Sequence, residues 1–181
     1  MKQFCPTCGT IQTVREETRR ETYVVRNEHV TVQARFFRCA GCGDTFANAA
    51  QTDELINAAR AAYRARHRLV SPEEIRRTRR RYAVGQKAFG LVLGMGEATV
   101  ALYESGKLPT EANSNLIRLA AQPAIFRQLF DANEGKLGPT QRRRIEAALT
   151  EIAATRPLSG VSEAEVPYSS FEHDHIGNGP E

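Results

Sequence analysis

All four cysteines of the chain fall into two copies of one short pattern, Cys5-Pro6-Thr7-Cys8-Gly9 and Cys39-Ala40-Gly41-Cys42-Gly43. In a Cys-x-x-Cys knuckle a tight turn aims two sulfurs at one point. The glycine after the second cysteine frees the backbone for a left-handed turn, or for a close approach of amides to sulfur. Two knuckles supply four thiolates, the complement of a tetrahedral Zn²⁺. Thiolates are soft donors, so iron or a cluster is the alternative, with zinc the default. A thioredoxin-type dithiol carries one such motif beside a βαβ pattern, whereas here it comes twice without one. Four protein thiolates fill a tetrahedral ion and leave no position for a reactive water. The expected role of a metal on Cys5, Cys8, Cys39 and Cys42 is therefore structural.

The knuckles bracket a strand-like stretch. Thr10 to Thr18 alternates weakly, and Thr22–Arg26 and His29–Phe37 are rich in β-branched and aromatic residues, with Asn27-Glu28 as the expected hairpin turn. The second strand runs directly into Cys39, so residues 1–50 read as one metal-clamped β module. His29 on that strand reads as a surface residue rather than a fifth ligand. A module this small buries too little surface to stand alone, and the metal supplies the missing stability. The first residues, Met1-Lys2-Gln3-Phe4-Cys5, lack the apolar core of an export signal. No run of about 18 apolar residues reads as a membrane span. The expectation is a cytoplasmic protein, where thiols stay reduced.

Charge is distributed unevenly. Residues 1–59 are balanced, residues 60–158 carry eighteen Lys/Arg against nine Asp/Glu, and residues 159–181 carry five acids and no Lys or Arg. A basic middle is the footprint of a protein that meets a polyanion. It opens with a connecting helix over residues 51–70, starting at Thr52-Asp53, with Leu55, Ile56, Ala59, Ala62 and Tyr63 on one face. Arg60, Arg64, Arg66 and Arg68 occupy the other face, which suits either DNA phosphates or plain solvent.

Residues 71–131 read as a five-helix domain. Ser71-Pro72-Glu73-Glu74 combines a serine cap, a first-turn proline and a capping-box glutamate. Between Gln86 and Ser105 the constraints of a helix-turn-helix are met in register. Phe89 and Leu93 face the core, Gly90 is small where two helices cross, and Gly94 occupies a left-handed turn. Met95, Val100 and Tyr103 continue the inner face. Gly106 and Pro109 stop the second helix. Further helices are expected over Glu111–Ala121 and from Pro123, burying Ile125, Phe126, Leu129 and Phe130. Residues 132–158 form a linker and a last helix capped by Thr140, either a dimer helix or a brace. Residues 159–181 read as a disordered acidic tail in which His173-Asp174-His175 is a chance pair and which would compete with DNA for the basic domain. The fold class is α+β: a metal-bound β module, an all-α helix-turn-helix domain and a C-terminal helix.

The doubled Cys-x-x-Cys-Gly, followed by Val84-Gly-Gln-Lys-Ala88, Gly94-Met-Gly-Glu97 and Leu102-Tyr-Glu-Ser-Gly106, resembles the MqsA (YgiT-type) antitoxin family over about residues 1–131. That family joins a zinc finger to a helix-turn-helix of the XRE, λ-repressor-like type. The resemblance implies a repressor that dimerises through its helical domain and binds a palindromic operator on double-stranded DNA upstream of its own operon. It also implies a zinc module that neutralises a protein toxin, often an RNase.

The second helix of the motif, about Glu97–Glu104, would enter the major groove. Gly96, Glu97, Ala98 and Thr99 would then lie at base edges, with Leu102 a turn further on. Glu97 can accept from cytosine N4 and Thr99 or Ala98 can meet a thymine methyl, although Glu97 also suits the positive end of its own helix. Gln86, Lys87, Arg76, Arg79, Arg80 and Lys107 would supply phosphate contacts and sequence-independent attraction. Family members commonly carry a basic residue where this sequence has Leu102, and a polar one at Ala98. A stand-alone zinc-containing transcription factor without a toxin shares all the DNA-binding features and is the alternative. An enzyme is not expected: there is no phosphate loop, the cysteines are committed, and the histidines at 29, 67, 173 and 175 form no nucleophilic grouping.

Overall fold

The computed structural model describes residues 1–155, so the expected acidic tail and His173-Asp174-His175 lie outside the described residues. Four strands, β1 (Lys2–Cys5), β2 (Thr10–Val25), β3 (Glu28–Cys39) and β4 (Thr45–Phe46), form an antiparallel sheet in sequence order. Strand β2 is a single strand rather than two pieces, paired with β3 from Val14↔Cys39 to Val25↔Glu28. The turn is Arg26-Asn27, one residue earlier than expected, with φ of 48° and 66°. Two left-handed residues make the primed turn whose twist matches a tight hairpin. In this register Val25 and Val30 share the buried face of the hairpin.

Helix α1 (Ala49–Arg66) starts earlier than Thr52. Asn48 accepts the amide of Gln51 at 2.9 Å and Gln51 returns the bond to the Asn48 amide at 3.1 Å, a complete capping box that carries Ala49 and Ala50 into the first turn. Ala59 and Tyr63 of α1 pack with Val25, Val30, Leu69 and Leu108 in a small core that joins the hairpin tip to the helical domain.

The remaining helices are α2 (Pro72–Arg81), α3 (Gln86–Val92), α4 (Thr99–Glu104), α5 (Glu111–Leu119), α6 (Pro123–Asn133) and α7 (Pro139–Thr155). Ser71 and Glu74 form the expected capping box of α2. Phe89, Leu93, Val100, Tyr103, Ile117, Phe126 and Phe130 are buried in one core, to which α7 contributes Ile145 and Leu149. Helix α7 is thus a brace of this domain. It begins at Pro139 rather than after Thr140, because Gly138 accepts the amides of Gln141 and Arg142 while Gln141 caps the Gly138 amide. Among the described residues no helix is long and apolar enough to cross a membrane.

Candidate metal centre and nucleic-acid interface

The β1–β2 turn and the end of β3 bring the two knuckles together. Gly9 and Gly43 follow their cysteines with φ of 67° and 75°, the left-handed conformation that the glycines were expected to take. Cys5 Sγ lies 3.7 Å from Cys42 Sγ, and Cys8 Sγ lies 3.8 Å from Cys39 Sγ. All four sulfurs fall within 4.8 Å of one another. Sulfurs at the corners of a tetrahedron with metal–sulfur bonds of ~2.3 Å are ~3.8 Å apart. The donor set therefore fits a tetrahedral metal ion. Backbone amides support it: Cys8 N–H points to Cys5 Sγ at 3.4 Å and Gly41 N–H to Cys39 Sγ at 3.3 Å.

The electrostatics of the thiols agree. The amide of Cys42, followed by that of Gly41, holds the Cys39 thiol down to about 7. The Cys42 sulfur, helped by burial, pushes the Cys8 thiol up to about 12. Cys39 ionises readily, and Cys8 then resists ionisation. A cation at the centre removes that resistance and lets all four sulfurs bind as thiolates.

In the helical domain, α3 and α4 cross where Gly90 has no side chain. A Cβ there would stand 3.3 Å from the Gly96 carbonyl oxygen and 3.4 Å from Val100 Cγ2. Gly94 turns the chain with φ of 68°. Helix α4 begins at Thr99, two residues later than expected, with Gly96–Ala98 forming the turn that leads into it. Thr99 donates its amide to the Gly96 carbonyl at 3.0 Å. Gly96, Glu97, Ala98 and Leu102 are exposed on one side of this unit, and Thr99 is half-buried.

The residues expected at phosphates divide into two groups. Arg80, Lys87 and Lys107 are exposed. Lys87 spans the turn to Glu97 at 2.9 Å, a solvated pair. Arg76, Arg79 and Gln86 instead converge on Glu104, a carboxylate only 4% exposed. Arg79 binds both of its oxygens and also donates to the Val84 carbonyl at 2.8 Å. Gln86 Nε2 donates to Glu104 Oε2 at 2.7 Å, and Arg76 donates to the Glu104 carbonyl. Burial alone would raise the Glu104 carboxyl, but Arg79 and then Gln86 outweigh it and hold it below the ordinary range. This cluster was not foreseen. The signal was present in Leu102-Tyr-Glu-Ser-Gly106, but a glutamate at a helix end reads as a surface residue until its partners from α2 and α3 are in place.

A four-cysteine β module able to hold a metal ion, joined by one helix to an all-helical domain, is the class that this fold and these sites define. Comparison with protein families places the chain further. It belongs to the family described as the antitoxin component of bacterial toxin-antitoxin system, MqsA, which matches residues 1–126. That match takes in both knuckles, α1 through α5 and the first turn of α6. No curated protein matches the chain.

Proposed function

We propose that the chain is the antitoxin of a type II toxin–antitoxin system and a sequence-specific repressor of its own operon. The metal is Zn²⁺, held by Cys5, Cys8, Cys39 and Cys42 as a structural ion that locks the β module. The observation that carries the reading is the pairing of this four-sulfur centre with an exposed, rigidly mounted Gly96–Leu102 face in a chain of the MqsA family.

In this reading α4 lies in the major groove, with Gly96, Glu97, Ala98 and Thr99 at base edges and Leu102 against an apolar edge. Arg80, Lys87 and Lys107 contact phosphates. Arg76, Arg79 and Gln86 act through Glu104, fixing the angle at which α4 enters, so they are positioning residues. The protein works by binding, as a cytoplasmic homodimer on a palindromic site, and not as an enzyme. The module's outer surface offers a protein partner an apolar strip: Phe4 pairs with Ile11 across β1 and β2, and with Met1 they are 59–69% exposed.

The test is binding of the zinc-loaded protein to its own upstream DNA and to scrambled DNA over a range of salt, with co-purification of the product of the neighbouring gene. Specific binding that survives moderate salt, together with a stable complex, supports both halves of the reading. Weak binding erased equally on both DNAs removes the repressor, and an isolated gene with no partner removes the antitoxin.

A further inference from the structure

Three arginines meet where α1, the first turn of α2 and the α4–α5 connection come together. They surround a cavity of about 290 Å³ whose walls include Asn57, Arg60, Arg64, Glu73, Arg76 and Gly106. Asn57, Arg60 and Arg64 stand on one face of α1, three and four residues apart. The carboxylates at the cavity are already engaged: Glu73 pairs with Arg76 at 3.1 Å, and Glu104 is held by Arg79 and Gln86 at 2.7 Å each. Arg64 donates from Nη2 to the Gly106 carbonyl at 3.3 Å, while its Nε is buried with no partner among the described residues. Burial depresses the Arg64 guanidinium below the usual arginine value, against the opposing charges of Glu73 and Glu74 and with a smaller contribution from Arg60. Three guanidinium groups line the recess against two carboxylates.

We infer that this cavity binds one small phosphate-bearing anion, held by Arg60 and Arg64 from α1 beside the Arg76–Glu73 pair of α2. A guanidinium presents its donors in a planar fork that matches the oxygens of a phosphate, and two forks from one helix face can take different oxygens of the same group. The buried Nε of Arg64 has no partner, a standing cost that a small shift of the side chain toward an acceptor in the recess would relieve. The volume admits a phosphate group with part of whatever carries it. The bound anion would pin α1 to the start of α2 and to the turn after α4. An adjoining face of α1 carries the hairpin of the metal module through Ala59 and Tyr63. Phosphate would therefore set how firmly the module is seated on the helical domain. This inference does not depend on DNA reading by α4.

The test is titration calorimetry of the full-length zinc-loaded protein with inorganic phosphate, against chloride at matched ionic strength. The expected result is saturable one-to-one binding, weakened about tenfold or more by Arg64→Gln, as for loss of a charged hydrogen bond. Arg60→Gln, on the exposed side of the cavity and without structural bonds to lose, should do the same. Arg127→Gln, an exposed arginine on α6, should change nothing. Absence of saturable binding, or equal weakening by Arg127→Gln, overturns the inference. A second arm titrates duplex DNA. If Arg60→Gln and Arg64→Gln weaken DNA binding while inorganic phosphate never binds, the arginines serve a DNA backbone and the small-anion site is refuted.

Discussion

Arg79 and Glu104 face each other across the helical domain as a fork on a fork, Nε to Oε1 at 2.7 Å and Nη2 to Oε2 at 3.1 Å, with both side chains largely out of water. Two elements separated by a turn and a helix are locked there at one point. Removing one member strands the other charge without solvent. Glu104→Ala should therefore destabilise the domain by about 3 kcal/mol, read from denaturant unfolding of the zinc-loaded protein. A loss below about 0.5 kcal/mol, the scale of a surface pair, would show that the bridge contributes no more than a solvated one.

The same residue sets an acid limit. The folded carboxyl of Glu104 titrates below its ordinary value, so its contribution is present above the unfolded value near 4.5 and is lost as pH falls through the folded value. Wild type minus Glu104→Gln stability should be constant from pH 7 to about 5 and shrink below the unfolded value. A difference that grows on acidification would contradict the depressed carboxyl.

Metal binding should run the opposite way to protonation. Cys8 must surrender a proton held up to about 12, so affinity should climb steeply between pH 6 and 8 in a competition with a chromogenic chelator. Native mass spectrometry should find one Zn²⁺ per chain. Cys39→Ser should lose the ion and, with it, roughly 10 kcal/mol of binding free energy that maintains the module. Retention of an ordered sheet after complete chelation would remove the structural role of the metal.

Gly90 and Gly94 matter for different reasons, and substitution should separate them. Gly94 has open space around a Cβ but a φ of 68°, so Gly94→Ala should cost only the left-handed penalty, about 1 kcal/mol. Gly90 sits against a backbone carbonyl, and Gly90→Val should cost about 2–3 kcal/mol from overpacking and splay α3 from α4. Thermal melts rank the two, and DNA binding should suffer more at position 90 than the stability loss alone explains.

Lys87 is predicted to act on phosphate without reading sequence. Lys87→Ala should weaken binding to operator and scrambled DNA alike and reduce the salt slope by about one. An unchanged slope would confine Lys87 to its bridge with Glu97.

What could be read from the chain followed from chemistry confined to a few neighbouring residues. The knuckles announce the four-sulfur cluster, Ser71 and Glu74 announce α2, and Gly94 announces the turn before α4. The start of α1 was misplaced because Asn48 and Gln51 make a capping box without the usual serine or glutamate. The hairpin turn moved one residue because Arg26 and Asn27 carry no glycine to mark a left-handed pair. Glu104 was illegible for a third reason: its environment is assembled from α2 and α3, and no local pattern reports a carboxylate that is to be enclosed.

The hairpin tip has a further consequence. Arg26 donates to the Leu108 and Pro109 carbonyls at 2.7 and 3.2 Å, while the opposite end of the same hairpin carries Cys39 opposite Val14. At about 3.4 Å per residue, β2 from Val14 to Val25 spans roughly 37 Å. The arm is a ruler: the number of its residues sets how far the sulfur cluster lies from the point where the helical domain is gripped. Adding one residue to each strand would turn Val25 and Val30 out to solvent and release the grip. Adding two to each would keep the faces and carry the sulfurs outward by roughly 7 Å. Length variation in this arm is thus quantised in pairs, and each permitted step changes the reach of the surface on offer to a partner.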